Sequence, residues 1–372
     1  MQQPFPKLRS FEVEGSPARM GELFGEAYRE EIIALAEIRL AKLAEHVHRY
    51  DPGRLPSRDH ILAAARATIE AHCNYDAAVW SEFQGIARGS GIPEEALLVA
   101  NALTDMRDLV LLETPPDRLT PQTPAGECTA FIVPASCGGG TPIVGQTWDM
   151  HPDAVPFTLV VTRRPADGPA TIALTTVGCL SLIGLNEEGV AVATNNLAPV
   201  DARPGVSYLF TITRALACRS ARESASAIAA TPRLSGHNFL VADASDAANV
   251  ETTAERAVTT PVERGVLVHA NHYLDPGNAA LEIDAQDLRG SRFRQTSLDE
   301  HFSSAPRPIT ADACWRYLAD ATRAEGAVCN EDYDGRYGLA ATVATVVLCP
   351  AEGRMDACSG GARLGLRQTF SL

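Results

Sequence analysis

Residues 126–133 read GECTAFIV, and residues 143–149 read IVGQTWD after a glycine-rich turn. β-Branched and apolar residues dominate both stretches, and the CGGG sequence at 137–140 between them suits a turn. The two stretches therefore predict a pair of neighbouring strands. Just upstream, residues 113–125 contain four prolines, which favour neither a helix nor a central strand. Cys128 is thus expected to begin a strand directly after an irregular, exposed and easily cut segment.

This position suggests a chemistry for Cys128. Cleavage of the peptide bond between Glu127 and Cys128 would give Cys128 both a thiol and a free α-amine. An α-amine has a reference pKa of about 7.7 to 8.0, so near neutral pH a useful fraction can accept the thiol proton. Asp149, on the second strand, is a candidate to hydrogen-bond and orient that amine. The alternative interpretation is structural, because a cysteine in an apolar strand is commonly a small buried hydrophobic residue.

The composition is that of a globular chain with an excess of acidic residues. Its 372 residues are 45% hydrophobic, which is enough to bury a large core. The formal net charge of −14 opposes binding to nucleic acid or to an anionic membrane. The amino terminus has no apolar run of signal-peptide length, and no stretch is long enough to span a bilayer. We therefore expect a cytoplasmic protein without a membrane partner.

The cysteines and histidines give no metal-binding pattern. The nine cysteines form no C-x-x-C pair, and their odd number leaves at least one outside any intramolecular disulfide. A reducing compartment with mostly structural thiols accounts for this usage. The nearest approach to a ligand pair is HANH at residues 269–272, which has no cysteine or acidic partner at close spacing. We expect no metal site and no cofactor.

The pattern of hydrophobic residues divides the chain into a helical first third and a strand-rich remainder. Residues 8–15 alternate like a strand, helical spacing follows as far as about residue 110, and Gly21 and Gly25 indicate a close helix contact. Later strands are predicted at 157–162, 171–176, 181–185, 190–196, 237–242, 249–253, 265–270, 344–349 and 355–358. Later helices are predicted at 208–229, 291–302 and 311–324. This order indicates an α+β protein in which helices cover stacked sheets.

Several sequence blocks resemble those of one known family, in the same order and over nearly the whole chain. They are EVEGSP at 12–17, FQGIARGSGIP at 83–93, CT at 128–129, GQTWD at 145–149, AVATNN at 191–196, NHY at 271–273, TVA at 342–344 and EGRM at 352–355. In this combination the chain resembles the acyl-coenzyme A:6-aminopenicillanate acyltransferase family. The resemblance implies an N-terminal-nucleophile hydrolase with a four-layer αββα sandwich, made as a precursor that cuts itself before the cysteine.

The resemblance also implies how the chain is divided and what it acts on. Residues 1–127 would form a mainly helical N-terminal segment and residues 128–372 the catalytic segment, and the two fragments would stay associated after cleavage, in a monomer or a homo-oligomer. The substrate would be a small N-acyl amide or an acyl thioester, with acyl-coenzyme A as a candidate co-substrate. One departure concerns the residue before the nucleophile. The family commonly has Gly there, which gives a strained turn at less steric cost than Glu127 does.

Five residues receive roles from the resemblance. Cys128 would be the nucleophile that forms an acyl-enzyme, and Asp149 would hold its amine. Asn271 would donate its side-chain amide to the oxyanion. Asn196 is a second oxyanion candidate by its position after the NEEG hairpin at 186–189, and Asn195 could exchange roles with it. An ordinary asparagine at a strand end is the alternative for Asn196. Arg292 would bind a substrate carboxylate through a bidentate contact, for which a salt bridge on the helix surface is the alternative.

Two other functional hypotheses remain open from the sequence. In the first, Cys128 is not processed and acts as a conventional Cys-His amidase nucleophile with His272 or His237 as the base. In the second, the fold serves as a small-molecule binding module without catalysis.

Overall fold

The computed structural model describes residues 5–115, 118–120, 128–284, 287–322, 326–335 and 340–372. Before the irregular segment lie β1 (Arg9–Gly15) and the helices α1 (Pro17–Ala27), α2 (Arg29–Tyr50), α3 (Arg58–Arg66), α4 (Ile69–Tyr75), α5 (Ala77–Ser90), α6 (Glu94–Asn101) and α7 (Leu103–Leu111). Ser16 caps α1 by accepting a hydrogen bond from the backbone N–H of Arg19. The helical character predicted for the first third is confirmed.

Strands dominate the remainder of the chain. They are β2 (Thr129–Val133), β3 (Ile143–Met150), β4 (Thr158–Pro165), β5 (Thr171–Thr176), β6 (Ile183–Asn186), β7 (Ala191–Leu197), β8 (Gly236–Ala242), β9 (Ala247–Thr252), β10 (Ala257–Pro261), β11 (Leu267–His269), β12 (Ala341–Cys349), β13 (Arg354–Ser359) and β14 (Gln368–Ser371). The helices are α8 (Tyr208–Ala215), α9 (Ala221–Ala230), α10 (Pro276–Ala279), α11 (Arg289–Ser304) and α12 (Ala311–Leu318).

Three predicted helices are shorter than the sequence pattern indicated. The stretch at 57–73 is divided between α3 and α4, the stretch at 92–110 between α6 and α7, and the stretch at 208–229 between α8 and α9. At the second break, the Asn101 side chain donates to the Gly178 carbonyl and accepts from the Leu180 N–H. At the third, Ser220 starts a new helix by capping the N–H of Glu223. The prediction for 311–324 extended past the end of α12, and its last two residues lie outside the described residues.

Two sheets, one of eight strands and one of six, form the middle of the molecule. The larger has the order β1-β4-β5-β6-β7-β8-β9-β10, and the smaller has the order β11-β2-β3-β12-β13-β14. All the named pairings are antiparallel except β1 with β4. The short strands β10 and β14 were not predicted, and each lies at a sheet edge where the hydrophobic pattern is weak.

The sheets pack face to face between helices, so the predicted αββα order is confirmed. Strands β2 and β3 contact β7 and β8 across the interface between the sheets. Helices α1 and α9 pack on the larger sheet, whereas α11 and α12 pack on the smaller one. Gln146 of β3 joins the sheets, because its Nε2 donates to the Thr194 carbonyl at 2.6 Å and its Oε1 accepts from the Thr194 N–H at 2.9 Å. A side-chain amide that satisfies both backbone groups of one residue fixes the alignment of the inner strands.

Strand β1 links the N-terminal segment to the rest of the fold. It pairs in parallel with β4, from Arg9 opposite Leu159 to Gly15 opposite Pro165. Elements on both sides of Cys128 therefore share one sheet. Across the described residues, no helix is both long enough and apolar enough to cross a lipid bilayer.

Helices α1 and α5 are in backbone contact through small residues. Gly21 and Gly25 of α1 face Gly85 and Gly89 of α5. A Cβ atom added at Gly21 would overlap the carbonyl oxygen of Glu82, and one added at Gly85 would overlap that of Ala18. The close contact predicted from the first glycine pair is confirmed, and the second pair is its counterpart.

This packing can be tested by the sign of the change in unfolding free energy when a contact glycine is replaced by alanine. Alanine favours a helix over glycine by about 1 kcal/mol, so Gly21→Ala would stabilise an isolated α1. In the protein we expect Gly21→Ala to lower the free energy of unfolding by about 1–3 kcal/mol, because the helices must separate. Urea denaturation measures the change, and Glu26→Ala at an exposed position of the same helix is the control. A stabilised Gly21→Ala variant would contradict the close contact.

Candidate active site

Cys128 lies immediately before β2. That strand pairs with β3, which carries Asp149. Thr129 is opposite Thr147 in the β2–β3 pairing, and the Thr129 N–H donates to Thr147 Oγ1 at 3.3 Å. The Cys128 thiol is 5% exposed, and its Sγ donates to the Asp149 carbonyl oxygen at 3.8 Å. The structure thus brings the predicted nucleophile and Asp149 together. Glu127, the predicted residue before the cleavage point, lies outside the described residues.

The environment of the Cys128 thiol disfavours the thiolate in the intact chain. Burial raises the pKa of Cys128 to about 12, and the negative charge of Asp149 acts in the same direction. The hydrogen bond to the Asp149 carbonyl and the charge of Arg294 lower this pKa only in part. The thiol is therefore protonated near neutral pH, and it needs a nearby base to become a nucleophile.

Asn271 and Asn196 are in direct contact. Asn271 follows β11 and is buried, and its Nδ2 donates to the backbone carbonyl of Asn196 at 2.9 Å. An amide nitrogen has two hydrogens, so this contact leaves one of them for another acceptor. Asn196 is half-buried near the end of β7, and its side-chain Oδ1 has no hydrogen-bond partner within the described part of the chain. Asn195 points to the other face of the strand, where its Oδ1 accepts from Asn238 at 3.4 Å.

Arg294 connects the nucleophile strand to Asn271. Its guanidinium is fully buried on α11, with Nε donating to Thr129 Oγ1 at 3.0 Å and Nη2 donating to Asn271 Oδ1 at 2.8 Å. The second contact fixes which end of the Asn271 amide faces the arginine. Arg294, which the sequence analysis did not select, thus joins the residue after Cys128 to Asn271 and, through Asn271, to the Asn196 carbonyl in one cluster.

The spacing of the buried residues along α11 is the sequence signal that could have identified Arg294. The helix buries Ser291, Arg294, Ser297, Leu298 and Phe302, which recur at intervals of three or four residues. Arg292 lies off this stripe, and its side chain is exposed. Its positive charge acts on the titration of His272 and Glu282. Within the described residues, no side-chain hydrogen bond joins Arg292 to the cluster, and its substrate-binding role stays a prediction.

A buried carboxylate supports the loop that carries Asn271. Glu251 of β9 contacts His269 Nε2 at 2.9 Å and also accepts hydrogen bonds from the N–H groups of Leu274 and Asp275. Burial alone raises the pKa of Glu251, but the hydrogen bond from His269 and these backbone contacts bring it below its usual value. The Asn271 N–H in turn donates to Ser291 Oγ at 2.8 Å. The segment 269–275 is therefore held at both ends.

The two histidines considered as bases are engaged elsewhere. His272 Nδ1 lies 2.7 Å from Ser291 Oγ, and burial lowers the pKa of His272 to about 4. His237 Nδ1 lies 3.4 Å from Asp105 Oδ1, and burial lowers the pKa of His237 to about 3. Groups with such pKa values are weak bases near neutral pH, so these contacts do not favour the Cys-His hypothesis. In the part of the chain that the structure describes, no three His, Cys, Asp or Glu side chains are grouped to hold a metal ion.

The fold and the family of the chain can now be stated. Two facing sheets lie between helical layers, which is the αββα arrangement expected of an N-terminal-nucleophile hydrolase. The chain belongs to the acyl-coenzyme A:6-aminopenicillanic acid acyl-transferase family, whose model matches residues 136–364. The family predicted from the order of the sequence blocks is thereby confirmed. The matched segment contains Asp149, Asn271 and Arg294, and it begins after Cys128.

Solved structures of amide hydrolases are similar to the chain. A mutant of conjugated bile acid hydrolase from Clostridium perfringens is 12% identical, with a TM-score of 0.41, over 66% of this chain and 97% of that chain. Penicillin V acylase from Agrobacterium tumefaciens is 13% identical, with a TM-score of 0.44, over 66% of this chain and 86% of that chain. A sequence search among curated proteins gives no match to the chain.

The half-buried carboxyl group of Glu282 gives a pH-dependent test of the region around Asn271. It accepts a hydrogen bond from the Tyr273 N–H at 3.3 Å, and burial raises its pKa from 4.5 to about 7. Because the folded pKa lies above the unfolded one, the group contributes stability below pH 4.5 that is lost as pH rises to about 7. Glu282→Gln should therefore raise the melting temperature more at pH 8 than at pH 5.

Differential scanning calorimetry at the two pH values measures this difference. Glu188→Gln, at an exposed turn, is the control and should shift the melting temperature equally at both. An equal shift for Glu282→Gln would show that Glu282 titrates normally in the folded protein.

Proposed function

We propose that this protein is a self-processing cysteine amidohydrolase or acyltransferase that cleaves or exchanges the acyl group of a small N-acyl amide. Family membership supports an enzyme of acyl transfer or amide hydrolysis. The observation that carries the proposal is the cluster around Arg294. That residue ties the nucleophile strand, through Thr129, to the amide of Asn271. This link supports a site in which a thiol and an oxyanion donor act together.

The first reaction in the proposal is self-cleavage. The Cys128 sulfur attacks the carbonyl carbon of Glu127 and passes its proton to the leaving nitrogen. The carbon–nitrogen bond then breaks to leave a thioester and a free α-amine. Water hydrolyses the thioester, which gives a carboxylate on Glu127 and returns the thiol. The high pKa of the buried thiol in the uncut chain agrees with an inactive precursor, because no α-amine is yet available to accept its proton.

The second reaction uses the new α-amine as the base. The amine takes the thiol proton as sulfur attacks the substrate carbonyl, and it later gives that proton to the leaving amine. The second N–H of Asn271 Nδ2 donates to the oxyanion, while Arg294 holds the other end of the amide. Asp149 orients the amine. Water resolves the thioester in hydrolysis and a second amine resolves it in transfer. Acyl-coenzyme A could load the same sulfur by thioester exchange.

The pairing of β1 with β4 supports continued association of the two fragments. This pairing joins residues 9–15 to residues 159–165 and does not depend on the peptide bond before Cys128. We propose that fragments 1–127 and 128–372 remain one particle after cleavage. Cytoplasmic location and a homo-oligomeric state stay predictions.

Cleavage gives the most direct test. Denaturing gel electrophoresis of the purified protein should show fragments of about one third and two thirds of the chain. Cys128→Ala should abolish them, because the attacking sulfur is lost. Cys73→Ala, at the exposed cysteine, should leave them unchanged. Intact protein with full activity would instead support an unprocessed amidase, and intact, folded and inert protein would support a binding module.

The acyl-enzyme can be trapped on the larger fragment. After incubation with a mixture of N-acyl amides and acyl thioesters, mass spectrometry should find an acyl adduct on the peptide that begins with Cys128. The mass of the adduct identifies the acyl group. An adduct on any other cysteine, with Cys128 unmodified, would contradict the assigned nucleophile.

Arg294 and Arg292 give a matched pair of variants on one helix. Lysine cannot span Thr129 and Asn271 as a guanidinium does, so Arg294→Lys should lower kcat by about a hundredfold through misplacement of the Asn271 amide. Arg292→Lys should leave kcat unchanged, and it should raise KM only if Arg292 binds the substrate. Steady-state kinetics on the acyl amide found by mass spectrometry measures both. Equal kcat values for the two variants would contradict the role given to Arg294.

A further inference from the structure

A small cavity lies between the N-terminal helices and the turn that joins β4 to β5. Its volume is about 210 Å³, and its apolar walls include Met20 of α1, Val79 of α5, and Pro165 and Pro169 beside the turn. Pockets for drug-sized ligands have volumes of about 300–1,000 Å³, so this cavity suits a smaller molecule. None of the residues described around Cys128 lines it. We call it the hairpin cavity.

A buried ion pair forms the polar part of the hairpin cavity. Arg163 of β4 donates from Nε to Glu82 Oε1 of α5 at 2.6 Å, and both residues are at most 5% exposed. The other two guanidinium nitrogens donate to Ser181 Oγ at 3.4 Å and to the Cys179 carbonyl at 3.3 Å. Each nitrogen of Arg163 thus has an acceptor within the protein.

The carboxylate of Glu82 is only half satisfied. Its second oxygen, Oε2, accepts no hydrogen bond from the residues that the structure describes. Oε2 is not one of the unpaired atoms sealed inside the fold, so it keeps accessible surface. Because Glu82 lines the hairpin cavity, this oxygen is open to a ligand there. Native proteins rarely leave a buried acceptor of this kind without a partner.

The charged groups of the hairpin cavity favour a cation. Three carboxylates line it, those of Asp76, Glu82 and Asp167, together with the two guanidinium groups of Arg163 and Arg214. This set has a formal charge of −1. Arg214 Nε is paired with Asp76 Oδ2 at 3.1 Å, and Arg163 is paired with Glu82. Both positive charges are therefore engaged, and the unpaired group is an acceptor.

A primary ammonium group matches these features. A carboxylate oxygen can only accept, so the ligand must donate, and an ammonium has three donors and one positive charge. A hydrogen bond between two oppositely charged groups is stronger than one between neutral groups. The apolar walls suit an alkyl chain, whose burial removes apolar surface from water. An anionic ligand would instead meet the unpaired oxygen of Glu82 with a like charge.

We propose that the hairpin cavity binds a small primary alkylammonium ion. The ammonium donates to Glu82 Oε2, and the alkyl chain lies against Met20 and Val79. This site is separate from the reaction proposed at Cys128, and the inference does not rest on that function. Glu82 precedes residue 127 and Arg163 follows it, so the segments 1–127 and 128–372 build the site together.

Binding can be measured directly with a charged and a neutral probe. Isothermal titration calorimetry of the purified protein with pentylammonium chloride and with 1-pentanol compares an ammonium with a hydroxyl on the same alkyl chain. We expect pentylammonium to bind at least tenfold more tightly than 1-pentanol, because only the cation neutralises Glu82.

Two neighbouring alanines give a matched pair of variants that locates the site. Ala78 and Ala77 are both exposed at the start of α5, and of the two only Ala78 lines the hairpin cavity. Ala78→Phe should fill the cavity and weaken pentylammonium binding at least tenfold. Ala77→Phe should leave the affinity unchanged. Equal affinities for the two variants would overturn the proposal.

The role of Glu82 is tested by removing the ion pair as a whole. Glu82→Gln with Arg163→Met leaves no unpaired buried charge, and it should bring the affinity ratio of pentylammonium to 1-pentanol near one. Circular dichroism shows whether this double variant folds, and if it does not, the pair Ala78→Phe and Ala77→Phe decides the result. The proposal also fails if the wild-type protein shows no preference for pentylammonium, or if the folded double variant keeps the wild-type ratio.

Discussion

The buried guanidinium of Arg294 is the contact on which the candidate site depends. A cation without water must be satisfied by fixed acceptors, and two of these acceptors are Thr129 Oγ1 and Asn271 Oδ1. The first belongs to the residue after Cys128, and the second belongs to the amide assigned to the oxyanion. Because both acceptors are bound by one planar group on α11, the thiol strand and the amide cannot move apart independently. The geometry of the candidate site is therefore set by a helix that supplies neither the proposed nucleophile nor the proposed oxyanion donor.

The inner strands provide the rigid frame around this contact. Strand β2 is paired with β3 and β11, and the Gln146 amide joins β3 to the backbone N–H and C=O of Thr194 on β7. Asn196 lies two residues further along β7. The Gln146 hydrogen bonds that align the sheets therefore also place the Asn196 carbonyl against Asn271. Glu251 anchors the loop after β11 from the opposite side. Each candidate residue is thus positioned by hydrogen bonds between elements distant in sequence.

The strands and layers could be predicted from the sequence because strand alternation, turn residues and helical spacing are local signals. The breaks in long helices could not, since Asn101 ends α6 through contacts with Gly178 and Leu180 that only the fold brings near. For a related reason, Arg294 was not selected from the sequence. The buried stripe of α11 includes the polar residues Ser291 and Ser297, so hydrophobicity did not mark the face that points inward. Edge strands such as β14 have exposed positions and little apolar signal.

The N-terminal segment has two kinds of contact that bear on a chain cut before Cys128. Strand β1 extends the larger sheet, and the Thr120 N–H donates to the Tyr50 carbonyl at 2.8 Å while its Oγ1 donates to the Arg49 carbonyl at 2.7 Å. The segment is therefore fixed to the end of α2 only a few residues before the proposed break. A cut at residue 127 would release one covalent bond, but the sheet pairing, the core and the Thr120 anchor would hold both fragments in register. These contacts do not involve the peptide bond before Cys128, so they give the N-terminal fragment a reason to remain bound after a cut there.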